Sequence, residues 1–235
     1  MRVLVVADRG DDDPGFVGER LAQRGGELKT VYRDELDDLG PAAPFNLVLL
    51  LGSEDAVHDE TRADVVAAES ALVDAAVEGG APVLAICYGA QLAAHALGGS
   101  VRPVVRGEVG WFEVESLDPL LCPVGPWLQF HSDVFTAPPG ARVTGRSALG
   151  PQGFALDPVS GRGGVVAWQF HPETTPSTLD RWVREANGYV RQHGADPAAF
   201  VQQTHARADA ARTAAHRLVD AALTHLLPPA GSRGA

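Results

Sequence analysis

The chain has 235 residues, 45% hydrophobic and 21% charged, which allows one α/β domain with some decoration and leaves a second full domain cramped. A formal net charge of −11 with no basic stripe excludes a phosphate-reading surface, so no nucleic-acid partner is expected. Two cysteines make no disulfide framework, no apolar run reaches the ~18 residues of a membrane span, and the opening run meets Asp8 too early for a secretory leader, so a cytoplasmic protein with no membrane contact is expected.

In chain order, "RVLVVAD" (2–8) reads as a β-branched first strand, closed by the acidic loop "DRGDDDPG". A short helix is expected over 15–24 and a second strand over 28–33. A Pro-rich loop leads to a third strand, "NLVLLLG" (46–52). Residues 59–78 carry a helical apolar pattern through Val65, Val66, Leu72 and Val73 and end at Gly79-Gly80. "PVLAIC" is a fourth strand and "GAQLAAHAL" the helix after it. Strands alternating with helices imply a parallel sheet covered on both faces. From about 100 to 170 short β-like runs separated by Gly and Pro, ending in "GVVAWQFHPE", read as an antiparallel addition. Residues 175–193 read as a helix capped by Ser177 or Thr178, and 197–227 as one long Ala-rich helix used for packing. The end, 228–235, reads as disordered.

Two stretches carry chemistry. "AICYGAQ" places Cys87 where a strand turns sharply into a helix, with Gly89 and Ala90 as the small neighbours such a bend needs. The thiol then sits at a helix N-terminus, where the positive end of the dipole favours a thiolate, and the N–H of Tyr88 points at the reaction centre. An isolated cysteine at a strand end is equally a buried structural residue. The second stretch, "GVVAWQFHPE", ends in His171 and Glu173, and residues i and i+2 of an extended segment face the same side. Nucleophile, base and orienter together follow the logic of a catalytic triad. Cys122, flanked by prolines, lacks an elbow and reads as structural. Asp11, Asp12 and Asp13 read as a solvated loop, and the remaining histidines show no ligand spacing, so neither metal nor cofactor is expected.

These two stretches together resemble the class I, triad-type glutamine amidotransferases, in their GMP-synthetase-like branch, over about residues 1–190. The resemblance implies that Cys87 attacks the side-chain amide carbon of glutamine, that His171 acts as base and then acid, and that Glu173 orients His171. It places an oxyanion donor in "LGSEDAV", at Gly52 and Ser53, where the serine departs from the family's usual second glycine. It assigns Gln91 and Gly89 of the elbow, and His131, Ser132 and Asp133 of "FHSDVF", to the substrate side.

The expected fold is therefore α/β: an open, mostly parallel, flavodoxin-like sheet with an antiparallel extension and a C-terminal helix. The expected division is an amidotransferase domain over 1–193, a helical extension over 194–227 and the tail. The expected reaction is hydrolysis of L-glutamine through a cysteinyl thioester, with ammonia passed to a separate synthetase or acceptor protein, since neither a GxxxxGK[ST] nor an SGGVDS-like loop occurs in this sequence. A stand-alone hydrolase of another γ-glutamyl amide, bearing an amine or hydrazine, uses the same residues. A non-catalytic sensor or assembly partner would need only the fold.

Overall fold

The computed structural model describes residues 1–39 and 45–227. The Pro-rich loop (at 40–44) and the expected tail (228–235) lie outside the described residues. The chain begins with β1 (Arg2–Ala7), α1 (Gly15–Gln23), β2 (Glu27–Tyr32) and β3 (Leu47–Leu50). A 3-10 turn capped by Asp59, which accepts the Thr61 N–H at 2.8 Å, leads into α2 (Ala63–Glu78). Next come β4 (Val83–Ile86) and α3 (Tyr88–Ala96). Two long strands, β5 (Ser100–Ser116) and β6 (Gly125–Thr136), precede β7 (Arg142–Arg146), β8 (Pro151–Leu156) and β9 (Val165–Trp168). The helices α4 (Pro176–Glu185), α5 (Asn187–Gln192) and α6 (Pro197–Leu226) complete the described chain.

Among the described residues the strands form one sheet in the order β2-β1-β3-β4-β9-β8-β7-β5-β6. The first five are parallel and run 2-1-3-4 before β9, the flavodoxin-like winding expected from the sequence. The antiparallel addition is also present: β8 and β7 extend the sheet, and the β5–β6 ribbon joins its edge through Glu115 and Ser116 alone. One expected member of that addition, β9, pairs antiparallel with β8 as expected but on its other side belongs to the parallel sheet. β9 lies in parallel register with β4, from Val83↔Val165 to Ile86↔Trp168. Its four residues are all buried, and a strand apolar on both faces is best accommodated inside a sheet covered on both sides.

Strand residues alternate between two apolar layers. Val3, Val5, Leu49, Leu84, Val166 and Trp168 pack with Val17 and Leu21 of α1 and with Leu218, Val219 and Ala222 of α6. Leu4, Val6, Val48, Leu50 and Val83 pack on the opposite face with Val73 and Val77 of α2 and Leu92 of α3. A third cluster, formed by Val109 and Leu128 of the ribbon with Leu179, Val183, Val190 and Phe200, fixes α4–α6 over the site end of the sheet. The single helix expected over 175–193 is two helices separated at Ala186 (φ −107°, ψ 32°), just before Asn187-Gly188, a pair of weak helix formers. Its cap is Thr175, whose hydroxyl accepts the Thr178 N–H at 3.2 Å, followed by a proline at the first turn. The α6 helix begins in the same way at Asp196, which accepts the Ala199 N–H at 2.8 Å.

Candidate active site

Gly52, Cys87 and His171 follow β3, β4 and β9, three adjacent parallel strands. Their C-terminal ends therefore deliver these residues to one place, where open α/β sheets bind ligands. Cys87 has φ 51° and ψ −110°, the one positive φ outside glycine among the described residues. Such a conformation costs about 1–3 kcal/mol and is held here by the strand before it and the helix after it. The Cys87 N–H still donates to Trp168 O at 2.7 Å, and its carbonyl accepts the first bond of α3 from Gln91 at 3.0 Å. The elbow is thus clamped on both sides of the thiol.

His171 and Glu173 are both buried, and Nδ1 of His171 lies 2.7 Å from Glu173 Oε1. They meet across a turn after β9 and not along an extended strand, as the i, i+2 argument supposes. Burial opposes charge on His171, but the neighbouring Cys87 and Glu173 charges outweigh it and hold the imidazole well above its ordinary pKa. Nε2 of His171 is buried without a hydrogen-bond partner, and the Cys87 charge is among those acting on the ring, so this nitrogen is free to align when substrate arrives. A Cβ added to Gly52 would lie 3.2 Å from His171 Cε1 and 3.7 Å from the Cys87 Cβ, which brings the loop after β3 directly against both groups.

A cavity of about 590 Å³ opens above the thiol. Ser53, Tyr88, Gln91, His131, Ser132 and Asp133 line it together with Cys87. Gln91 Nε2 lies 3.4 Å from both Asp133 O and Gln169 Oε1. His131 is buried, with Nδ1 2.9 Å from Asp133 O and Nε2 3.2 Å from Glu108 Oε2, so both of its nitrogens are turned into the ribbon's own network. Gly89 is not on the cavity side. A Cβ there would lie 2.5 Å from Leu50 O, so the glycine lets α3 approach β3 and has no room to meet a substrate.

Several neighbours escaped sequence reasoning. Gln169 is fully buried and donates to Cys87 Sγ at 3.7 Å; a lone polar residue closing an otherwise apolar run was the available signal. Tyr189 of α5 lines the cavity, and burial pushes its hydroxyl up to about 12 against the effect of a hydrogen bond from Ser132. Trp182 sets its edge against the His171 ring, with centroids 5.0 Å apart, and its indole N–H donates to Asp11 Oδ2 at 2.9 Å. The acidic loop is therefore no mere solvated turn, because Asp11 also pairs with Arg181 and so anchors α4 beside the imidazole. Cys122 is fully buried away from this cavity, and burial pushes its thiol up to about 12, as suits a packing residue. Trp168 is fully buried and donates to Leu121 O at 2.8 Å.

A thiol on a strained elbow, a buried imidazole held by a carboxylate, and a substrate-sized cavity can carry acyl transfer through sulfur. Comparisons with known proteins bear on the family. The curated relatives include the glutamine-hydrolysing GMP synthase of Aeropyrum pernix, 33% identical over 197 residues, which cover 77% of this chain and 35% of the relative. The same enzyme from Thermomicrobium roseum is 37% identical over 109 residues, covering 44% of this chain and 20% of the relative. The chain thus spans about a third or less of the length of these relatives. Among solved structures, a glutamine amidotransferase from Thermotoga maritima superposes with a TM-score of 0.78 at 23% identity, over 94% of this chain and 96% of that one. A glutamine amidotransferase from Methylobacillus flagellatus gives 0.76 at 19% identity, over 100% and 98%. Both show that the fold is shared along nearly the whole length. The family model for class I glutamine amidotransferases matches residues 18–187, most of the described fold, and the chain belongs to that family.

Proposed function

We propose that the chain hydrolyses the γ-amide of L-glutamine through a thioester on Cys87 and passes the ammonia to a separate synthetase or acceptor protein. The observation that carries this reading is the buried His171, bonded to Glu173 at 2.7 Å, with a single point beside Gly52 lying 3.2 Å from its ring and 3.7 Å from the Cys87 Cβ. The thiolate adds to the amide carbon, and the oxyanion accepts the N–H groups of Tyr88 and Ser53. Collapse breaks the C–N bond while imidazolium gives its proton to the departing nitrogen. Neutral His171 then takes a proton from water, which attacks the thioester and releases glutamate and the thiolate. Glu173 keeps the imidazole in the tautomer that presents Nε2 to the sulfur, without itself changing bonds. Gln91, Ser132 and Asp133 face the amino-acid end of the substrate, and His131 supports that loop through Glu108.

The amidotransferase domain runs over 1–193, with 194–227 as a helical extension, and the compartment is the cytoplasm. Among the described residues no helix is long and apolar enough to cross a membrane. The partner reading rests on the relatives, which are GMP synthases. The test is intact-mass detection of a glutamyl adduct on Cys87 during turnover. Cys87→Ala should remove both the adduct and ammonia release, and undiminished release would remove the mechanism.

A second reading is favoured by the cavity. At about 590 Å³ it exceeds what one amino acid fills, which suits a γ-glutamyl amide with a larger amine. A higher kcat/KM on such amides than on glutamine would select that reading.

A further inference from the structure

Arg33 opens the 3-10 turn Arg33–Leu39 after β2, a position where a lone arginine ordinarily points to solvent. Here it is 2% exposed and among the largest fully buried side chains. Each of its three guanidinium nitrogens is engaged. Nε donates to Asp8 Oδ1 at 3.0 Å, and Nη1 pairs with Glu69. Nη2 donates to two successive carbonyls, Leu51 O at 2.8 Å and Gly52 O at 2.7 Å. Glu69 of α2 is wholly buried, and its second oxygen accepts the Tyr88 hydroxyl at 2.7 Å. The guanidinium carbon lies 4.8 Å from the centroid of the Tyr88 ring. Burial disfavours the charge on Arg33, but Glu69 and Asp8 outweigh it; on Glu69, burial wins over Arg33 and pushes the carboxyl up.

A buried ion pair is a poor stabiliser compared with apolar residues of the same volume, so its placement asks for another reason. That reason lies in the peptide plane. The bond between Gly52 and Ser53 is trans, as are all the described peptide bonds, so its C=O and N–H point in opposite directions. Arg33 holds Gly52 O on the side of β2 and α2. The N–H of Ser53 is then turned the other way, and Ser53 itself lines the cavity. The second backbone donor at the thiol, Tyr88 N–H, belongs to the residue whose hydroxyl and ring the same cluster grips. Neither Arg33 nor Glu69 lines the cavity, so both act through the backbone.

We propose that Arg33, Glu69 and the Tyr88 hydroxyl form a positioning cluster that holds both N–H donors of the oxyanion hole in the donating orientation before substrate binds. The proposal rests on the thioester reading given above. It makes the hole preorganised, so no peptide rotation is needed as charge develops on the carbonyl oxygen.

The test uses the full chain. Replacing the pair together, Arg33→Met with Glu69→Met, removes the clamp without leaving a buried charge alone. Tyr88→Phe removes only the hydroxyl, and serves should the double variant fail to fold. Glutamine turnover is compared with the alkylation rate of Cys87 by iodoacetamide, a displacement at carbon that forms no oxyanion. The double variant should lose about 10²–10³-fold in kcat with KM little changed, in proportion to a lost oxyanion donor. Tyr88→Phe should lose less, again in kcat. In both variants alkylation should stay within about twofold of the parent. An unchanged kcat in the folded variants overturns the proposal. So does a parallel fall in alkylation, which would make the cluster a general support of the elbow. Should the parent form no thioester at all, the reading of the site fails by itself. The clamp is then judged by the amide resonance of Ser53, which must shift in the double variant; an unmoved Ser53 N–H overturns it.

Discussion

Cys87 concentrates the residue-scale argument. Its positive φ is a strain that glycine would relieve, since only the Cβ makes that region costly. We therefore expect Cys87→Gly to unfold about 1 kcal/mol later than Cys87→Ala in denaturant titrations, the reverse of the usual ranking of these residues. Both variants should be inactive. Glu173 governs the proton on its neighbour. It raises His171, so removing its charge lets the imidazolium lose its proton at lower pH. The alkaline limb of the kcat/KM profile for Glu173→Gln should move to lower pH, with a smaller loss of activity than Cys87→Ala; an unmoved limb would deny the electrostatic link. The types Cys87, His171 and Glu173 were legible because each sits in a pattern of adjacent residues. Arg33 was not, because its burial is decided by Glu69, on a helix 36 positions later in the chain.

At the scale of elements, α6 shows what a weak pattern conceals. Its period is visible through Val201, Ala208, Ala211, Ala215, Leu218, Ala222 and Leu226, of which the last four are buried and the first three half-buried. What they are buried against was not visible, because a helix face specifies only that it needs a cover. The structure lays it over α1, where Asp220 accepts from Arg20 at 2.6 Å and Arg24 at 2.7 Å. Those ion pairs are partly solvated, so Asp220→Ala should cost less than about 1 kcal/mol in chemical denaturation. Leu218→Ala, in the same helix but wholly buried, should cost about 2–5 kcal/mol. Comparable losses for the two would mean that charge, not packing, holds the helix. The β9 strand and the break at Ala186 belong to the same scale. A run of four apolar residues accepts parallel and antiparallel neighbours alike, and β9 has one of each, while a helix pattern does not record a break at a single residue.

For the whole molecule, the chemistry at sulfur involves no phosphoryl transfer, so ammonia release by this chain alone should be the same with and without ATP and Mg²⁺. A strict ATP requirement would place the reaction outside the proposed mechanism. By itself the sequence determined the alternation of strands and helices, the elbow and its thiol, and the pairing of His171 with Glu173, because each depends on residues within about ten positions of one another. The tertiary structure alone decided that β3, β4 and β9 are neighbours, that Gly89 serves packing while Gln169 reaches the sulfur, and that Arg33 is buried beneath the loop at Gly52. These depend on which surfaces cover one another, and strand order and burial are settled by contacts between segments far apart in the chain, which local propensity does not encode.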